Sequence, residues 1–153
     1  MSFEDENAAH RHFSATLFNQ TWEYLDKTER TQEDEEMMML TAFASYYHWT
    51  QRPDVNPEKV SIATWQISRV YAVLGNGNEA VRWARRSVEE AEKGSDPFFL
   101  GYGFEALARA CDLVGDTELL DAALRTAEEL ANLVPDKASR EALQADLATI
   151  NSH

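Results

Sequence analysis

The chain has 153 residues, the size of one ordinary domain, with 44% hydrophobic and 27% charged residues, a balance that excludes a disordered polypeptide. Twenty-seven acids against 14 bases give a formal net charge of −13, which argues against nucleic acid and against anionic membrane surfaces as partners. The single cysteine, Cys111, excludes an internal disulfide, and no apolar run approaches the ~18 residues of a membrane span. The opening "MSFEDENAAHRHF" lacks the apolar core of a secretory signal, so a cytoplasmic location is expected.

Glycine and proline are few, and they fall where segments of 15–20 residues end, which predicts helices. The first helix is expected over 9–27, with Phe18, Trp22 and Leu25 facing inward, and the second over 33–50 after the polar break at Thr28–Gln32. Ten acids among residues 1–36 read as a solvated face and as favourable charge at helix starts, or as a surface that steers a basic partner. The loop "RPDVNP" places Asn56 as N-cap and Pro57 at the first position of a third helix over 57–74. Its stripe is Ala63, Ile67, Val70, Tyr71 and Leu74. The turn "GNGN" opens a fourth helix, 78–93, and "KGSDP" opens a fifth, 98–114, with Phe104, Leu107, Ala108, Cys111 and Val114 inward. Gly115-Asp116 leads to a sixth over 117–133 and Pro135-Asp136 to a seventh over 137–150. The helices pair as hairpins over 9–50, 57–93 and 97–134, closed by the last helix as a cap.

Two of these hairpins repeat. "SRVYAVLG" and "ARACDLVG" align at a spacing of 40, matching Arg69 to Arg109 and Gly75 to Gly115. Ile67, Ser68, Tyr71, Gly75 and Ala80 in the first unit, and Leu107, Ala108, Gly115, Leu124 and Ala127 in the second, resemble the tetratricopeptide repeat family over about residues 61–134. The first hairpin is similar in architecture only. The resemblance implies an all-α, right-handed stack of antiparallel hairpins whose first helices line a concave groove. It also implies a non-catalytic module that binds a protein or peptide segment there. The groove face would carry Ile62, Trp65, Arg69 and Val73, then Tyr102, Glu105, Arg109 and Asp112.

The side chains on that face leave two readings open. A guanidinium fork suits a partner's carboxylate. Alternatively Glu105 pairs with Arg109, four residues on, while Arg69 reaches Glu105 or Asp112 across the stack. A second candidate is "SYYHWTQR" at 45–52, where Phe43, Tyr46, Tyr47 and Trp49 either pack helix two onto its neighbours or, through Tyr47, His48 and Arg52, line a ligand pocket.

Of the four histidines, His10, His12 and His48 could converge with a carboxylate such as Glu35, which would make a metal-dependent enzyme; His153 is the fourth. No nucleophile elbow and no phosphate loop is present, so no cofactor is implied. A further possibility is a self-associating protein with a small-ligand groove, its homodimer seam formed by Phe13, Leu17 and Trp22.

Overall fold

Asn56 accepts from the Lys59 N–H through its side chain, and Pro57 begins the helix behind it, so the loop chemistry read above sets the start of a helix. The same logic recurs along the chain in a computed structural model that describes residues 5–150. Among these residues seven helices form: α1 (Glu6–Leu25), α2 (Gln32–Thr50), α3 (Pro57–Val73), α4 (Gly77–Glu92), α5 (Pro97–Val114), α6 (Thr117–Leu133) and α7 (Lys137–Ala148). Every one has an Asp, Asn or Thr at its N-cap accepting a backbone N–H. At α2 the cap is reciprocal, with Thr31 and Asp34 each satisfying the other's backbone. The expected bounds hold to within three residues. The largest difference is at α1, which starts earlier because Asp5 caps it by accepting from Ala8.

The chain is all-α, and neighbouring helices pack as stacked hairpins: α1 on α2, α3 on α4, α5 on α6, with α7 against α5 and α6. The two units spaced by 40 end their first helices identically. Gly75 and Gly115 have φ of 80° and 76°, which a residue with a Cβ rarely adopts. Asn76 N–H reaches back to Tyr71 carbonyl in one unit, and Asp116 N–H to Cys111 carbonyl in the other.

Two cores result. Ile67 and Val70 pack with Met38 and Ala42 of α2, with Phe43 and Tyr46 set edge-on to Trp83 of α4. The larger core joins α3 through α7 around Ala108, Cys111, Leu120, Ala127 and Leu143, and draws Phe18 and Trp22 onto it. Phe43 and Tyr46 of α2 therefore meet α3 and α4, while Phe18 and Trp22 face the α3–α5 side. Trp22 packs against Trp65 with ring centroids 5.7 Å apart and ring planes tilted by 37°.

Within the first two hairpins the helices are joined by short hydroxyl side chains. Thr21 donates to Thr41 at 2.8 Å, Ser45 to the Ser14 carbonyl at 2.8 Å, and Ser61 and Ser87 each to the other's carbonyl. These residues are buried, and their bonds satisfy the polar atoms that burial would otherwise leave at a cost. The third hairpin uses apolar contacts instead, with Cys111 fully buried among them.

Burial pushes the Cys111 thiol up to about 11, with the charge of Asp116 adding to the effect. The native thiol is expected to resist a disulfide reagent at pH 8 and to react once urea unfolds the chain. The sign for stability follows. The unfolded thiol ionises first, so stability is intact below its ordinary pKa and declines as pH rises from about 9 toward 11. Urea midpoints of wild type and Cys111→Ala across that range test this.

Candidate functional site

The centre of the α3–α5 face is the Glu105 carboxylate, which is completely buried. Residues 65, 69, 105 and 109 sit at helical steps of four on two neighbouring helices, so their side chains converge. Oε2 accepts from the Trp65 indole at 2.8 Å. Oε1 accepts from Arg69 Nη2 at 2.8 Å and from Arg109 Nη2 and Nε at 2.7 and 3.0 Å. Helix α7 closes the cluster from the other side. Arg109 also donates to the Asp146 carbonyl at 3.2 Å and to Thr149 Oγ1 at 2.8 Å, and the Tyr102 hydroxyl donates to Asp146 Oδ2 at 2.8 Å. Burial, and then that bond to Asp146, push the Tyr102 hydroxyl well above its usual range.

Of the two readings of the groove arginines, the internal pairing is the one present. Glu105 takes both guanidinium groups, and Asp112 lies two turns further along α5. The cluster balances two cations against the Glu105 and Asp146 carboxylates. Arg109 is committed to Glu105 and α7, whereas Arg69 gives one N–H to Glu105 and rests its guanidinium over the Trp65 ring at 5.3 Å.

Beside this cluster the first helices of the three hairpins leave an apolar cleft of about 230 Å³. Its walls are Phe18 and Trp22 from α1, Ile62 and Trp65 from α3, and Phe98 and Tyr102 from α5. Trp65 stands edge-on to Tyr102, and Phe98 edge-on to Tyr102, so the rings hold one another's orientation. Trp65 and Tyr102 thus belong to both the cleft and the cluster. The parts supplied by α1 and α7, Phe18, Trp22, Asp146 and Thr149, were not expected at this place. The one signal for part of it was the spacing of 40 between Trp65 and Glu105, which puts them at equivalent positions of neighbouring units.

In the "SYYHWTQR" patch Tyr47 lies edge-on to His48 at 5.4 Å and to His10 of α1 at 6.2 Å. Tyr47 is exposed, while His48 turns toward α1, where its Nδ1 meets His10 Nδ1 at 2.9 Å and its ring lies 5.4 Å from that of Phe13. Partial burial, and then the neighbouring His10, hold the His48 imidazole below its usual range. Arg52 also reaches α1, through Ser14. It stacks over Trp49 at 4.1 Å, forks onto both Asp54 oxygens at 2.8 Å, and donates to Ser14 Oγ. Arg52, then Lys59, hold the Asp54 carboxyl far below the normal range.

The alternative in which His10, His12 and His48 converge with Glu35 is met only in part. His10 and His48 meet. His12 is exposed beside Phe13, and Glu35 lies about 20 Å down α2 from His48 at 1.5 Å per residue. Among the described residues no three His, Cys, Asp or Glu side chains are grouped to hold a metal; His153 lies outside the described residues. No helix of the described residues is long and apolar enough to cross a membrane.

Neither a family model, nor a curated protein, nor a solved structure matches this chain.

Proposed function

We propose that the protein is a non-catalytic interaction module, similar in plan to tetratricopeptide hairpins, that binds an extended or helical segment of a partner protein across α1, α3 and α5. The observation that carries this reading is the apolar cleft. Six aromatic or aliphatic side chains from three helices enclose about 230 Å³, a volume suited to one bulky apolar side chain. The Arg69 N–H groups not given to Glu105 stand next to it and suit a carbonyl or carboxylate oxygen of the same segment. In this reading Glu105 and Arg109 act indirectly, by holding Trp65, Arg69 and Tyr102 in place.

Ile62 lines the cleft and is half-buried, so Ile62→Glu is expected to fold while placing a charge where the anchor enters. Peptides selected from a random displayed library on wild type are expected to share a Leu, Met, Phe or Trp and to bind Ile62→Glu about tenfold or more weakly. Arg69→Gln is expected to weaken them less. Failure to select any peptide, or equal binding to Ile62→Glu with an unchanged circular dichroism spectrum, overturns the reading.

A further inference from the structure

The acidic stretch between α1 and α2 carries five acids against one base over residues 29–36. The bases at this edge are already occupied. Lys27 pairs with Asp34 at 2.8 Å, and Arg30 donates to the carbonyls of Tyr24, Leu25 and Lys27 at the end of α1. Glu35 and Glu36 are exposed, and no cation among the described residues pairs with either. One turn further along α2, Leu40 stands 62% exposed. A single exposed leucine needs no explanation, but this one continues into a groove of about 580 Å³. Met39, Leu40 and Leu74 supply its apolar side, and Gln32, Glu35 and Glu36 its rim. Leu74 belongs to the C-cap of α3, so the groove bridges the first and second hairpins. It lies away from the aromatic cleft and shares no lining residue with it.

We infer that this groove docks a basic amphipathic segment of a partner protein. Its apolar side chains lie on Met39, Leu40 and Leu74, and a Lys or Arg one turn away meets Glu35 and Glu36. The occupant follows from charge. The rim presents uncompensated carboxylates around an apolar floor, which attracts a cationic segment and repels an anionic one. A second copy of this chain is disfavoured as occupant, because it carries a net charge of −13 of its own.

The test uses two fluorescent 16-residue helical peptides, one built of Leu, Ala and Lys and the other with Glu in place of Lys, read by anisotropy in 50 and 300 mM salt. The Lys peptide is expected to bind wild type, to weaken about tenfold or more toward Leu40→Ser and toward Glu35→Lys/Glu36→Lys, and to weaken with salt. The Glu peptide is expected not to bind. Leu133→Ser, at an exposed leucine on α6 outside both surfaces, is expected to bind the Lys peptide like wild type, which separates this groove from exposed apolar surface in general. Lys-peptide binding that is absent, or indifferent to Leu40→Ser and to the charge reversal, overturns the proposal. A concentration-dependent dimer abolished by Leu40→Ser overturns it also, by making a second copy the occupant.

Discussion

Glu105→Ala is expected to lower the free energy of unfolding by about 3 kcal/mol, at the lower end of what removing one partner of a buried ion pair costs. The carboxylate is wholly buried and serves three side chains at once, so its loss leaves two guanidinium groups without their carboxylate and an indole N–H without its acceptor, with Arg109 keeping only its bonds to α7. The arginine side chains keep 15% and 21% of their exposure, and that residual access to water is why the lower end applies. Glu105→Gln keeps an acceptor oxygen and is expected to lose less. Arg69→Ala in the Glu105→Ala background is expected to cost less than in wild type, since its partner is already gone. Urea unfolding of the four variants decides the matter. A Glu105→Ala loss below about 0.5 kcal/mol would mean the cluster does not hold α3 against α5. A groove variant that loses binding should therefore be checked for this cluster's integrity before a direct role is assigned.

Leu143→Ala is expected to cost about 2–5 kcal/mol, and the loss should be concentrated at α7. Leu143 is fully buried and fills the notch that Gly101 leaves in α5. A Cβ built at Gly101 would stand 2.7 Å from Leu143 Cδ2, so the two residues are fitted to each other. Gly101→Ala alone is expected to destabilise by crowding that methyl group. Added to Leu143→Ala it meets no such methyl, so the pair is expected to be less harmful than the sum of the singles. Hydrogen exchange on Leu143→Ala should show α7 amides losing protection before those of α3 and α4. Loosening α7 also releases the Arg109–Thr149 and Tyr102–Asp146 bonds, so the cleft wall at Tyr102 should become more mobile.

The helices were legible because their limits are written in local chemistry. Asn56-Pro57, Gly75 and Gly115 act through their own backbone and cap geometry, and no distant contact is needed to set them. The fifth helix and its Glu105–Arg109 pair were legible for the same reason, since a spacing of four fixes adjacency on one helix. What the sequence left open was which of two partners Arg69 takes, because that depends on the offset between α3 and α5. The offset is set by packing, including the close approach of Gly103 to the α4 backbone at Val88. The histidines show the same limit. His10 and His48 lie 38 residues apart and meet only because α1 and α2 run antiparallel in one register; a shift by one turn would separate them. Phe18 and Trp22 were correctly read as inward, yet the helix they face was not recoverable from periodicity, which gives the buried side of a helix but not its neighbour.

The order of contacts in this stack bears on how the chain is made. Among the described residues, helices in contact are adjacent in the chain or separated by one, and the longest hydrogen-bonded link, Gln66 to Phe18, spans 48 positions. During synthesis each hairpin can settle on the one before it as soon as it leaves the ribosome. At roughly 5–20 residues per second, a helix waits about 2–10 s for its last partner. The exposed apolar edge of a half-made stack is therefore brief, and α7, which emerges after the three hairpins, is the helix that covers Gly101 and ties down Arg109 and Tyr102.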